Sequence, residues 1–284
     1  MVAPDRERLR RVFRVPRADA PPSRASERDP ALRAFLQQRL ARLPRRPRVE
    51  LPPAEPAAAG AEALWRRELR YPLASLHGSA RLGAARDLDG ERLAALAKDP
   101  GFAALDPREC LFLDTETTGL AGGAGTTVFA YGLAFFRGED LVLEQLFLRD
   151  FGEEPAMLRH VAARLREFPV PVTFVGKSYD RHRIAARMAV HKVRSPVLTQ
   201  RHLDLYHLVR RSHGRSLPDA RLRTVEERLL GVVRTDDLPG SEAPAAFLDW
   251  IRDGSGPVDR VLEHNRLDVL SLVALLGVLA GRSV

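Results

Sequence analysis

Two eleven-residue apolar runs, TTVFAYGLAFF (126–136) and DLVLEQLFLRD (140–150), are separated by only Arg137-Gly138-Glu139. Runs rich in β-branched and aromatic residues, joined by a glycine-centred turn, are predicted to pair as a β-hairpin. A hairpin this apolar needs cover, and the neighbouring sequence supplies it. CLFLD (110–114) reads as a short buried strand upstream. Downstream, Met157, Leu158, Val161, Leu165 and Phe168 share one face of a helix predicted over 154–168. A fourth strand is expected over 170–176 and a second helix over 179–190. Residues 202–211 begin extended and turn helical, and three more helices are expected over 222–230, 243–252 and 258–280. Three antiparallel strands followed by alternating helix and strand predict an α/β three-layer fold, a mixed central sheet flanked by helices.

Polar residues interrupt this pattern at three places. The first strand ends in Asp114, and Glu116 follows two positions later; on a strand, residues i and i+2 share a face. Two carboxylates held together raise one another's pKa unless a cation is near, and oxygen donors of this kind suit Mg²⁺ or Mn²⁺. Asp180 stands just past the fourth strand, in the first turn of a helix, where the macrodipole favours an acid in any case. His264 and Asp268 are four apart within the apolar sequence VLEHNRLDVLSLVALL and project from one helix face. Each feature has an ordinary explanation: a strand-capping turn, a dipole partner, a surface ion pair. Their combination calls for a shared one.

The basic character of the chain is local. Its formal charge is +8, but residues 1–60 hold 14 of the 45 Lys and Arg and 7 of the 37 Asp and Glu, leaving 31 and 30 for the rest. The same 60 residues hold 10 of the 21 prolines. This segment is predicted to be largely flexible, with one short helix near Ala31–Leu43, and its charge suits a polyanion such as nucleic acid. Residues 61–107 are expected to be an accessory segment packing on the core through Trp65, Tyr71 and His77, and 108–284 the main domain. The single cysteine, Cys110, excludes an intramolecular disulfide framework and a cysteine-based zinc site. With no apolar run long enough to span a bilayer and no apolar leader after Asp5-Arg6-Glu7-Arg8, a soluble, cytoplasmic protein is expected.

Strand-D-x-E, then strand and Asp180 at a helix start, then H-x₃-D on a late helix is an ordered set. With FLDTETTGLAGGAGT, GKSYD, HLDLYHLVRR, VEERLLG, RTDDLPGSEAP and EHNRLDVLSL, the sequence resembles the DEDD (DnaQ-like) 3′–5′ exonucleases of ribonuclease H-like fold, and most nearly the bacterial YprB group. The resemblance covers roughly 108–280. It implies that Asp114, Glu116, Asp180 and Asp268 bind two divalent ions, Mg²⁺ or Mn²⁺, and that His264 is the general base. It further implies that Thr117, Gly119, Leu120, Lys177, Tyr179 and Asn265 lie near the substrate. The substrate expected is a nucleic-acid end, DNA before RNA, in repair and beside a helicase. An exoribonuclease and an inactive nucleic-acid-binding module stay open as alternatives. Two departures stand out. One branch of the superfamily has Tyr-x₃-Asp and another His-x₄-Asp, whereas this chain has His at x₃ spacing. Related motifs often read Asn-Gly-Lys-Ser-Phe-Asp, where this chain has Val175. Asp236 and Asp237 are expected to shape a turn.

Overall fold

The computed structural model describes residues 48–54, 64–119 and 126–281. The helix expected near Ala31–Leu43 and the loop residues Leu120, Gly122, Gly123 and Gly125 lie outside the described residues.

A six-stranded sheet runs through the centre. The expected hairpin is β5 (Val128–Arg137) and β6 (Asp140–Phe147), with Arg137 opposite Asp140 and Gly138 at φ 60° in the turn. β4 (Cys110–Thr117) pairs antiparallel with β5 and parallel with β7 (Val170–Thr173), which pairs parallel with the two-residue β8 (Leu203–Asp204). On the other side, β1 (Trp65–Pro72) lies antiparallel along β6 and gives the order β1-β6-β5-β4-β7-β8. The segment expected to pack on the core thus supplies a strand of the sheet. A small ribbon, β2 (Leu76–His77) and β3 (Ala80–Arg81), follows β1.

Side chains alternate across the sheet and build two cores. Phe112, Ala134 and Phe136 face one layer, made by α1 (Gly90–Ala97), α4 (Leu205–Ser212) and the 23-residue α7 (Val258–Ala280). Leu111, Leu113, Phe129, Tyr131, Leu133 and Phe135 face the other, made by α2 (Glu154–Glu167), α3 (Asp180–Val190) and α6 (Ala243–Asp253). This is the three-layer α/β arrangement with a mixed sheet. No helix among the described residues is long and apolar enough to cross a membrane.

Two elements differ from their sequence-based bounds. The strand expected over 170–176 stops at Thr173. Asp204 accepts the backbone N–H of Val175 (2.9 Å) and of Lys177 (3.0 Å), which turns the chain away from the sheet, and Val175 adopts φ 64°. The helix expected over 222–230 is α-helical (α5) only over Leu222–Val225 and then forms a π turn over Glu226–Leu230, closed by Gly231 at φ 66°. A π turn costs regular hydrogen bonding and is found most often where a side chain must be re-aimed. Here it places Glu226, fully buried, against the site described next.

Candidate active site

Asp114 and Glu116 share the face of β4 that α7 covers, as their spacing requires. Opposite Asp114 on β5 is Gly132; a β-carbon there would come within 2.5 Å of Asn265 Oδ1. Its absence lets α7 lie close enough for Asn265 Nδ2 to donate to Asp114 Oδ2 at 2.9 Å. Gln145 Nε2 in turn donates to Asn265 Oδ1 (3.3 Å) and to the Leu262 carbonyl (2.6 Å). Asn265 is fully buried and spends its amide on Asp114 and Gln145. The structure therefore gives Asn265 an orienting contact with Asp114. Immediately after Glu116 the pairing with β5 shifts register, and such a bulge ends the ladder and re-aims the chain.

Thr115 points to the opposite face and donates from Oγ1 to Asp180 Oδ1 at 2.6 Å. Gly176 makes room for that carboxylate, since a β-carbon there would stand 2.6 Å from Asp180 Oδ2. Asp268 approaches from α7. Burial drives the Asp114 carboxyl well above the ordinary range, and Asp268, Glu116 and Asp180 push it further. Glu116 is raised likewise, by burial first and then by Asp268, Asp180 and Asp237. Burial lifts Asp180 to about 6 even against its bond from Thr115. Four acids from β4, α3 and α7 thus lie within electrostatic reach of one another.

A cation that the sequence did not single out lies among them. Arg234 is 4% exposed at its side chain and donates from Nη2 to both Glu226 and Asp268, with Nη1 3.3 Å from Asp237 Oδ2. Burial works against its charge, but Asp268 and Glu226 outweigh that and raise its pKa. Glu226 accepts from Ser271 Oγ at 2.5 Å, and Ser271 Oγ lies 2.8 Å from His77 Nε2. Since the serine hydrogen goes to the carboxylate, His77 is the donor in that contact. Burial, with Arg234 and Arg266 nearby, lowers His77 to about 4, so the ring is neutral.

His264 also has a partner that was expected only to shape a turn. Its Nδ1 is 2.8 Å from Asp237 Oδ1, while its Nε2 is 3.5 Å from Asp268 Oδ2. Arg234 Nη1, a donor, lies 3.3 Å from the same Nδ1, but the carboxylate of Asp237, which only accepts, is closer, so Asp237 fixes the proton on Nδ1 and leaves the lone pair on Nε2. The sequence did carry one trace of this network. His264, Asp268 and Ser271 are spaced four and three apart, a polar stripe on an apolar helix.

The remaining candidates form a second group. Tyr179 Oη donates to the Gly119 carbonyl at 3.1 Å, and Thr117 Oγ1 lies 3.3 Å from both. Lys177 lines a neighbouring cleft. The donor set of Asp114, Glu116, Asp180 and Asp268 fits hard divalent cations, because carboxylates that resist ionising together are those a cation stabilises. Among the described residues, no three His, Cys, Asp or Glu groups stand together as a ready-made metal site. Asp180 is turned to Thr115 and Asp268 to Arg234.

A mixed six-stranded sheet flanked by helices on both faces is an α/β fold of the ribonuclease H-like kind. Residues 111–280 match the family RNase_H_2 of the RNase H superfamily. The chain belongs to that family. It is 33% identical over 217 residues to the uncharacterised protein YprB of Bacillus subtilis (strain 168), covering 74% of this chain and 51% of that one. The chain thus spans about half the length of this relative. Among solved structures, it is similar to the family B DNA polymerase of the archaeon Pyrobaculum calidifontis, with a TM-score of 0.46 and 17% identity over 58% of this chain and 24% of that one.

Proposed function

We propose that this protein is a metal-dependent 3′–5′ exonuclease that hydrolyses phosphodiester bonds at nucleic-acid ends, with DNA in a repair setting as its substrate. The observation that carries the reading is the gathering of Asp114, Glu116, Asp180 and Asp268 around the end of β4, each of the first three holding its proton above the ordinary range. A binding module has no use for acids that repel both one another and a phosphate. Asp114, Glu116, Asp180 and Asp268 would hold divalent ions, which supply charge neutralisation for the phosphate and a lowered pKa for the attacking water.

The chain's own groups do the rest. Asn265 keeps Asp114 oriented. His264 receives the proton of the attacking water at Nε2, and Asp237 stabilises the imidazolium that results. Arg234 donates to Asp268 and holds its carboxylate in place. Thr117, Gly119 and Tyr179 frame the place for the terminal nucleotide beside the acids.

The test is cleavage of end-labelled single- and double-stranded DNA and matched RNA by the purified chain with Mg²⁺ or Mn²⁺. The expected result is a ladder shortened from the 3′ end, lost with EDTA and reduced at least ~100-fold by Asp114→Asn. Removal of the base in His264→Ala is expected to cost about 100-fold or more. Tight binding of every strand without cleavage would return the protein to the binding-module class, and a ladder on RNA alone would make it an exoribonuclease.

A further inference from the structure

Beside the N-terminus of α3 lies a cleft of about 240 Å³ whose walls include Lys177, Arg181, Arg201, His202, His207 and Arg211. It is formed between the loop after β7, the β8–α4 segment and the end of α1, and so includes residues well outside the carboxylate cluster. Four of its side chains are permanently cationic. Its two acids are already occupied: Asp204 accepts the backbone N–H of Val175, Lys177 and Tyr206, and Asp99 accepts that of Gly101 while lying 3.9 Å from Arg201.

Two of the cations are structural as well. Arg201 donates to the Gly101 carbonyl at 2.7 Å and lies over the Phe102 ring, and Arg211 donates to the Leu96 carbonyl. Arg211 ties the end of α1 to α4, Arg201 ties the turn after α1 to the segment before β8, and both line the cleft. Lys177 and Arg181 are different. Among the described residues neither side chain donates a hydrogen bond or makes an ion pair, and the Arg181 Nε is buried without a partner. His202, 5% exposed, spends Nε2 on Thr173 Oγ1 at 2.8 Å and has Nδ1 buried and unpartnered. A concave site with four cations, two of them without a protein partner, is built for an anion with several acceptor oxygens.

We propose that this cleft binds an internal phosphodiester of the substrate strand, adjoining the Asp180 end of the carboxylate cluster. The proposal rests on the nucleic-acid reading above. Lys177 and Arg181 provide the charge, and Arg201 and Arg211 close the wall opposite. Contacts to phosphate fix the position and register of a strand without reading its bases. The site would therefore act on affinity for strands of any sequence.

Fluorescence anisotropy of a labelled single-stranded oligonucleotide, titrated with the full chain in EDTA across a salt series, tests this apart from any chemistry. Lys177→Ala with Arg181→Gln is expected to weaken binding about tenfold and to lower the slope of log K against log salt by about 1.4, two contacts at roughly 0.7 each. Arg181→Lys in the Lys177 wild-type background should keep most of the affinity. Thermal melting of each variant, unchanged from wild type, excludes misfolding as the cause. Unchanged affinity and slope in a well-folded double variant overturns the proposal even where the wild type cuts DNA. An equal loss of affinity for a free mononucleotide or inorganic phosphate also overturns it, in favour of a terminal-phosphate site. Binding that weakens as expected in a protein that cuts nothing sinks the exonuclease reading and leaves the cleft standing.

Discussion

Asp237 and Asp268 stand on the two ring nitrogens of His264, and the two contacts have different consequences. Asp237 holds the proton on Nδ1; an amide in its place can offer an N–H to the same nitrogen and favour the wrong tautomer. Asp237→Asn is therefore expected to lower kcat roughly 10- to 100-fold with little change in KM, and the pH–rate profile should shift with it. A merely structural role would leave that profile in place. Arg234 is a separate case, because it serves three buried or half-buried acids at once. Arg234→Met strands Glu226 and is expected to destabilise the fold by about 3 kcal/mol, while Glu226→Gln together with Arg234→Met should recover much of that. Urea unfolding of the two single variants and the pair gives the coupling directly. Val175 offers the opposite kind of test. A β-branched residue at φ 64° is strained, and Asn is several-fold better tolerated there. Val175→Asn is expected to stabilise the protein by about 1 kcal/mol, read as a shift in the urea midpoint.

At the scale of elements, the long strands and α7 were legible because their apolar periodicity is strong and local. The misjudged ends have causes elsewhere in the chain. Val170–Thr173 reads on into Phe174-Val175 as extended chain, and only the carboxylate of Asp204, nearly thirty residues on, turns it aside. The sequence TVEERLL looks like continuous helix, but Glu226 is drawn into a π turn where Arg234 and Ser271 meet it. β1 has the opposite difficulty. WRRELRYP lacks the apolar surface of its neighbours, because it forms the outer edge of the sheet and its arginines pair with polar groups on β6, Arg66 with Glu144 at 2.9 Å and Arg67 with Gln145 at 2.5 Å. The four acids were visible as spacing on strand and helix. Arg234, Asp237 and Glu226 were not, since they come from a connecting stretch and a distorted helix that only the folded chain brings to the end of β4.

For the molecule as a whole, the acid cluster makes stability depend on pH in an unusual direction. Asp114, Glu116 and Asp180 have folded-state pKa values raised above those of an unfolded chain, about 4. The folded state therefore binds more protons, and stability is fully present below about pH 4 and is lost as pH rises through the folded values. For Asp180, lifted to about 6, that loss runs from about pH 4 to just above 6 and is on the order of 3 kcal/mol. Keeping His77 and His202 as buried neutral rings works the other way up to about pH 6.5, so the melting temperature of the metal-free protein is expected to fall between pH 6.5 and 7.5. Adding Mg²⁺ or Mn²⁺ should restore it at the upper end, and Asp114→Asn should flatten the fall. A metal-free protein whose melting temperature rises over that range would contradict the arrangement of charges described here.

β1 lies along the full length of β6, from Trp65 opposite Phe147 to Pro72 opposite Asp140. A fragment cut at residue 108, where the sequence alone places the start of the main domain, would strip that partner away. It would leave Leu141–Phe147 as a bare, apolar strand edge, the kind of surface on which chains stack into aggregates. The same cut removes His77 and with it one end of the chain of bonds that reaches Arg234. A preparation starting at residue 48 should run as a single species in light scattering, whereas one starting at 108 should precipitate or form ladders of oligomers. Where the gene is trimmed therefore decides whether there is a well-behaved protein to assay at all.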